Sequence, residues 1–310
     1  MNEFSFIEYL KKNVPLSGRV RVGIGDDAAV IDVDKGKKLV VSTDVIVENV
    51  DFRIAELSPE KIGRKALAVN LSDMAAMGAT PTAFVVSIGK PKRITIAWLK
   101  RFYNGLLELA RQYDVACIGG DFSGSREFFA SVTIFGEVSA HQFIKRSGAM
   151  QGDWIGVTGT LGGSLRRHHW DFTPRVREGL FLAKRLTPTA MIDISDGLLQ
   201  DLVHILKASK VGAVLDLDAI PVSADACRFN AGNKAKALAR ALGDGEDFEL
   251  LFTVTPWKKK ALEKRWKKRF PKVPLSWIGK IEGKRTQVNW SVNGKAVAAP
   301  KIQQKGFTHF

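Results

Sequence analysis

The chain is 310 residues long, with 47 lysines and arginines against 32 aspartates and glutamates, a formal net charge of +15 at pH 7, and 45% hydrophobic residues. That length exceeds the usual single domain and that composition suits a soluble globular protein with a sizeable core, so two domains are expected. Two cysteines, Cys117 and Cys227, exclude a disulfide framework and lack metal-ligand spacing, no run approaches the roughly 18 apolar residues of a membrane span, and the opening "MNEFSFIEYLKKN" lacks a signal-peptide layout, all of which points to the cytoplasm and to no membrane partner.

In chain order, "RVRVGI" (19–24) alternates as a strand does, and "KKLVVST" (37–43) reads as a second strand ending in a hydroxyl pair. Ser58, Pro59 and Glu60 form a cap followed by proline at a first helical position, and Ile62, Leu67, Val69, Leu71 and Met74 then describe a largely buried helix. "TAFVVSIG" is a strand, "IAWLKRFYNGLLELARQY" a helix, "DVACIGGD" a strand and "REFFASVTIFGEV" a longer one. The polar passage "SAHQFIKRSGAMQGD" marks a domain boundary, giving domains 1–139 and 140–310, both mixed α/β.

The pattern restarts with the strand "WIGVTG", a helix, the strand-to-helix junction "AMIDISDGLLQDLVH" (190–204), and the strands "GAVLDL", "FELLFTV" and "LSWIG". Between the last two, "WKKKALEKRWKKRFPK" (257–272) resembles a nucleic-acid patch, yet Leu262, Trp266 and Phe270 recur every four residues with lysines between. That is the pattern of an amphipathic helix with a solvated outer face. No zinc-finger spacing or RNA-recognition aromatic motif accompanies it, so no nucleic-acid partner is expected.

Aspartates recur where strands or helices are expected to end: Asp26 and Asp27, Asp44 after Ser42 and Thr43, Asp121, and Asp193 with Asp196. Each alone reads as a turn former or a helix cap. Asp73 does not, because it sits within a helical run one turn after Asn70, where an unpaired carboxylate is expensive to bury. Converging carboxylates need cations, and oxygen ligands without His or Cys suit several Mg²⁺ ions around a polyphosphate. There is no Walker loop and no protein-kinase signature. "VTGTLGGS" (157–164) reads as a tight turn or as amides facing an anion, and "GDGEDFELLF" (243–252) as a charged hairpin turn before a buried strand. His168 and His169 are adjacent, diverge, and make a poor metal pair.

Taken together, "GDDAA", "STD", "NLSDMAAMGA", "GGD", "RSGAMQGD", "VTGTLGGS", "MIDISDGL", "GEDFELLF" and the closing "GFTHF" stand in the order found in thiamine-monophosphate kinases, which the chain resembles over nearly its whole length. These are members of the aminoimidazole-ribonucleotide synthetase-like superfamily. The resemblance implies an α/β fold of two domains: an N-terminal half that dimerises through its sheet, and a C-terminal half that completes a cleft for ATP and Mg²⁺. It implies in-line phosphoryl transfer from ATP to thiamine monophosphate, giving thiamine diphosphate. By motif, Asp27, Ser42, Thr43, Asp44, Asp73, Asp121, Asp193 and Asp196 hold Mg²⁺. Gly120, Asp121, Arg146 and Ser195 contact ATP, while Glu246 and Phe307 contact the thiamine portion. No general base is expected, since a phosphate acceptor is already an anion at neutral pH.

Two departures stand out. Where the family usually reads V-E-G-V-H-F, with the His near the substrate, this chain reads "VENVDF", with Asp51 in its place, and Phe122 replaces a common threonine after "GGD". The charge of Asp51 beside a phosphate acceptor predicts that Asp51→His improves acceptor affinity. Sister activities are disfavoured or secondary: no cysteine precedes Cys117 for selenophosphate synthesis, and "THF" replaces the terminal cysteine of carbamoyl-handling hydrogenase maturation proteins. Formylglycinamidine cyclisation, or a silent nucleotide or nucleic-acid binder, are the alternatives.

Overall fold

The computed structural model describes residues 9–10, 12–14, 20–22, 30–140, 142–166, 168–283 and 286–300. The chain divides into two compact units, Met1–Met74 with Ala79–His141, and Ala75–Gly78 with Gln142–Phe310.

In the first unit β1 (Val20–Val22) and β2 (Val30–Ile31) pair as a short antiparallel ribbon. They are followed by β3 (Lys37–Val47), α1 (Pro59–Ala76), β4 (Thr80–Lys90), α2 (Ile96–Tyr113), β5 (Ala116–Gly124) and β6 (Phe129–Ser139). The four-stranded sheet runs β3-β6-β4-β5. Only β4 and β5 are parallel, and α2 supplies the crossover such a pair requires. Helix α1 starts where the sequence predicts: Ser58 Oγ accepts the Lys61 N–H at 3.4 Å, with Pro59 in the first turn. Its Ile62, Leu67, Leu71 and Met74 are fully buried. Phe128 anchors the aromatic core, edge-on to Phe52, Trp98 and Phe102.

Alternation divides the sheet's two sides. Ile46, Val132, Ile134 and Val86 are buried on one, whereas Leu39, Val41 and Val45 are 47, 53 and 50% exposed on the other. Strand β3 also continues past its hydroxyl pair to Val47, and β5 past "GGD" to Gly124. Asp44 and Asp121 therefore lie inside strands, not at their ends, because partner strands keep pairing with them.

The second unit contains β7 (Trp154–Thr158), α3 (Val176–Arg185), β8 (Ala190–Asp193), α4 (Leu198–Ser209), β9 (Gly212–Asp216), α5 (Ala224–Phe229), α6 (Lys234–Gly243), β10 (Leu250–Val254), α7 (Pro256–Arg269), β11 (Leu275–Glu282), β12 (Val288–Val292) and β13 (Lys295–Val297). Its seven-stranded sheet runs β13-β12-β9-β11-β7-β10-β8, with only the β12–β9 pair parallel. Ile155, Val157 and Ile192 from the strands meet Leu198, Leu202 and Ile205 of α4 in its core. Helix α7 buries Leu262 and Trp266, whose Nε1 donates to the Val273 carbonyl at 2.8 Å, and turns Lys260, Lys264, Lys267 and Lys268 outward, whereas the half-buried Lys259 lies over the Trp154 ring at 4.1 Å. No described helix is long and apolar enough to cross a membrane.

Candidate active site

In the first unit, alternation sends Ser42 and Asp44 to the buried side of the sheet and Thr43 to the open side. Ser42 Oγ donates to Asp73 Oδ2, joining strand β3 to helix α1. Thr43 instead donates to the Val132 carbonyl at 3.1 Å and accepts from Thr133 Oγ1 at 3.1 Å. One turn before Asp73, buried Asn70 donates to the Ala66 carbonyl at 3.0 Å, while its Oδ1 has no hydrogen-bond partner. An orphaned buried acceptor one helical turn from Asp73 matches a donor-rich guest such as a hydrated cation.

Gly120 and Asp121 stand on the opposite edge strand, β5. A Cβ at Gly120 would lie 2.1 Å from the Val86 carbonyl oxygen, so only glycine allows β5 this close to β4. Asp121 pairs with Ser87, which pairs with Ser131, itself across from Val45. That row belongs to the open side, with Thr43, and the structure does not bring Asp121 together with Ser42 and Asp73. Asp51 Oδ2 accepts the Val47 N–H at 2.7 Å, closing the turn after β3, and the fully buried Lys65 donates to the Asp51 carbonyl at 3.1 Å. Asn49 adopts the left-handed φ of 67° where the family has glycine, a conformation Asn tolerates best after glycine.

In the second unit, buried Asp193 ends β8, paired with Leu250, and half-buried Ser195 and Asp196 form the bend into α4. Neither of those two caps the helix. Asp201, inside α4, reaches back so that its Oδ2 accepts the N–H groups of Asp196 and Gly197, each at 3.1 Å. Burial, then the negative charges of Asp193 and Asp196, push the Asp201 carboxyl up to about 8. Asp196, Asp201 and His204 each offer a ligand atom, all within 4.8 Å of one another. Asp201 and His204 were not singled out from sequence, although their i, i+3 spacing one turn after "SDG" carries the signal. The "RSGA" segment is fixed at the far end of α4 from that bend, where Ser209 Oγ accepts the Gly148 and Ala149 amides at 3.1 Å each and the Arg146 side chain is left exposed, so the structure does not bring Arg146 together with Ser195.

The glycine-rich turn after β7 is saturated from within the unit. Gly162 N–H reaches Asp247 at 3.0 and 3.1 Å, Gly163 N–H reaches Asp244 at 3.0 Å, and Ser164 Oγ donates to Asp247. Glu249 holds Arg175 through Nε at 2.7 Å and Nη2 at 2.5 Å, and accepts from Thr158 at 2.6 Å. Asp244, Asp247 and Glu249 are all buried. "GDGEDFELLF" is thus a buried acidic cradle rather than a solvated hairpin turn, and the amides it takes up are not offered to an anion. Burial drives the Asp247 carboxyl well above its ordinary range.

Glu246, between these buried acids, is half-buried, and its N–H donates to the Ser195 carbonyl at 2.7 Å. The approach requires Gly245, where a Cβ would lie 2.5 Å from that same oxygen. Asp193, Ser195, Asp196 and Glu246 therefore form one cluster. Asp27 and Phe307 lie outside the described residues.

The family of AIR synthase related proteins, N-terminal domain, matches residues 25–138. The thiamine-monophosphate kinase of Rhodopirellula baltica is 40% identical over 319 residues, spanning 99% of this chain and 97% of its own. Among solved structures, the thiamine-monophosphate kinase of Stenotrophomonas maltophilia aligns with a TM-score of 0.81 at 35% identity, over 96% of this chain and 98% of that one. AaThiL, complexed with AMPPCP and TMP, aligns with a TM-score of 0.74 at 31% identity, over 99% and 97%.

Proposed function

We propose that this chain, which belongs to the thiamine-monophosphate kinase family, transfers the terminal phosphoryl group of ATP to thiamine monophosphate, giving ADP and thiamine diphosphate. The observation that carries this reading is the bend Asp193–Ser195–Asp196 with Glu246 fastened to the Ser195 carbonyl. It sets acids suited to phosphate-bound cations beside an acid suited to an organic cation or amine.

The attacking oxygen belongs to a phosphate whose second ionisation lies near pKa 6, so the chain needs no general base and has to align two anions. Asp44 and Asp73 with Ser42 in the first unit, and Asp193 and Asp196 in the second, supply oxygen donors of the kind Mg²⁺ takes, and the orphaned Asn70 Oδ1 fits the same guest. The family motifs also assign Asp27, Thr43 and Asp121 to this set, but Thr43 and Asp121 lie on the open side of the sheet and the Thr43 hydroxyl is taken up by the Val132 carbonyl. When bound, Mg²⁺ supplies neutralisation of the polyphosphate charge. Gly120, Asp121, Arg146 and Ser195 hold ATP, while Asp51, Glu246 and Phe307 orient the acceptor.

The exposed side of Leu39, Val41 and Val45 supports a homodimer formed through the first unit's sheet. The cytoplasm, where ATP and Mg²⁺ are available, is the compartment that suits the reaction. The reading is tested by incubating the protein with ATP, Mg²⁺ and thiamine monophosphate and following phosphorus NMR. Thiamine diphosphate and ADP should appear, and should be lost with Asp73→Asn. ATP binding without diphosphate formation would overturn it.

A further inference from the structure

His168 and His169 stand in a 3-10 turn, His168–Trp170, in which His168 is exposed and His169 buried. His169 Nδ1 lies 2.9 Å from Glu246 Oε2. An ionised carboxylate only accepts, so Nδ1 carries the proton and Glu246 fixes the imidazole tautomer. Trp170 packs edge-on against that ring, with centroids 4.4 Å apart, and holds its orientation.

Glu246 is fixed from its backbone as well. It takes a φ of 61°, and Phe248 one of 50°, left-handed values that cost a non-glycine residue energy and persist where the surroundings impose them. The imposing contacts are Glu246 N–H to the Ser195 carbonyl at 2.7 Å and Phe248 N–H to the Ile194 carbonyl at 2.8 Å. The Phe248 ring also stacks on Phe172, with centroids 4.1 Å apart. As a result Asp247 and Phe248 turn inward, and Glu246 is left half-buried beside Ser195.

We infer that His169 is a positioning residue for acceptor recognition, holding the Glu246 carboxylate to receive the amino group of the acceptor's aminopyrimidine ring. The inference rests on the function proposed above. A carboxylate accepts at about four lone-pair positions, so the bond from His169 orients Glu246 without exhausting it. Ordering the glutamate before the ligand arrives removes that cost from binding. In this role Glu246 meets the thiamine portion and not the phosphate, so its orientation governs acceptor affinity rather than the chemical step.

The test compares His169→Leu, which removes the donor, with His169→Asn, which returns an N–H close to the Nδ1 position. Thiamine monophosphate binding is measured by calorimetry without ATP, alongside kcat and both KM values and a thermal melt. His169→Leu should weaken acceptor binding about tenfold and raise its KM alike, while kcat and the KM for ATP move less than about twofold. His169→Asn should recover most of the affinity. An unchanged Kd in His169→Leu, equal impairment of both variants, or a loss falling equally on ATP overturns the assignment. Turnover by the unsubstituted chain is read separately: its failure overturns the kinase reading, whereas the calorimetric comparison still decides the role of His169.

Discussion

The Oδ2 atom of Asp201 accepts the backbone N–H of Asp196 at 3.1 Å, and that of Gly197 at the same distance. One buried side chain within α4 thereby fastens the bend that carries Ser195 and Asp196, reaching back to the N-cap amide as the acid of a capping box does. Asp201→Ala strips both amides of their acceptor and should cost about 1–3 kcal/mol in urea unfolding. Because it loosens the bend, it should also raise the Mg²⁺ concentration needed for half-maximal turnover several-fold. Asp201→Asn keeps an acceptor and should show a smaller rise. Stability lost with an unchanged Mg²⁺ midpoint would make Asp201 a cap and nothing more.

Ser42 and Thr43 are neighbours with opposite fates. Ser42 bonds to Asp73, and Thr43 bonds to the Val132 carbonyl on the other side of the sheet. Ser42→Ala should therefore raise the Mg²⁺ requirement several-fold, whereas Thr43→Val should leave it unchanged and cost about 1 kcal/mol of stability from the lost hydrogen bond. A Thr43→Val variant with impaired Mg²⁺ dependence would show that the hydroxyl serves the metal from the open face.

What the sequence disclosed, and what it withheld, follows from the range of the forces involved. The Ser58–Pro59 start of α1 and the strand–helix–strand passage through α2 rest on local capping and periodicity, and were legible residue by residue. Asp44 and Asp121 were placed at strand ends because strand pairing, which carries β3 and β5 past them, is a long-range term. The glycine-rich turn was ambiguous for the same reason: its amides are claimed by Asp244 and Asp247, far along the chain. His169 likewise read as half of a poor metal pair, since Glu246, which gives it a purpose, cannot be matched to it by spacing.

Asp51 departs from the family's histidine, and its Oδ2 accepts the Val47 N–H at 2.7 Å. The residue therefore combines a turn-closing acceptor with a negative charge, and two substitutions separate the roles. Asp51→Asn keeps an acceptor and removes the charge, so the KM for thiamine monophosphate should fall with little change in stability. Asp51→His also removes the charge but sacrifices the turn bond, so a similar gain in affinity should come with a loss of about 1 kcal/mol. Steady-state kinetics paired with urea melts measure both. A KM that rises in both variants would mean that the carboxylate itself recruits the acceptor.

Asp247 is buried, and burial raises its folded-state carboxyl pKa well above the unfolded value near 3.9. In the window above that value the folded chain binds a proton that the unfolded chain has released. Stability associated with the neutral group is therefore full below the unfolded pKa and is lost as pH rises toward the folded pKa. Asp247→Asn places a permanently neutral group in the cradle of Gly162 and Ser164, with one oxygen still able to accept. The stability of the variant relative to the parent should consequently grow with pH. Near pH 4 it should be equal or lower, because the amide's N–H₂ is a poorer match for the Gly162 N–H, and by pH 8 the balance should move in the variant's favour. Urea midpoints of both chains at successive pH values measure the slope. A difference independent of pH would mean that Asp247 stays ionised in the fold, with its hydrogen bonds outweighing its desolvation.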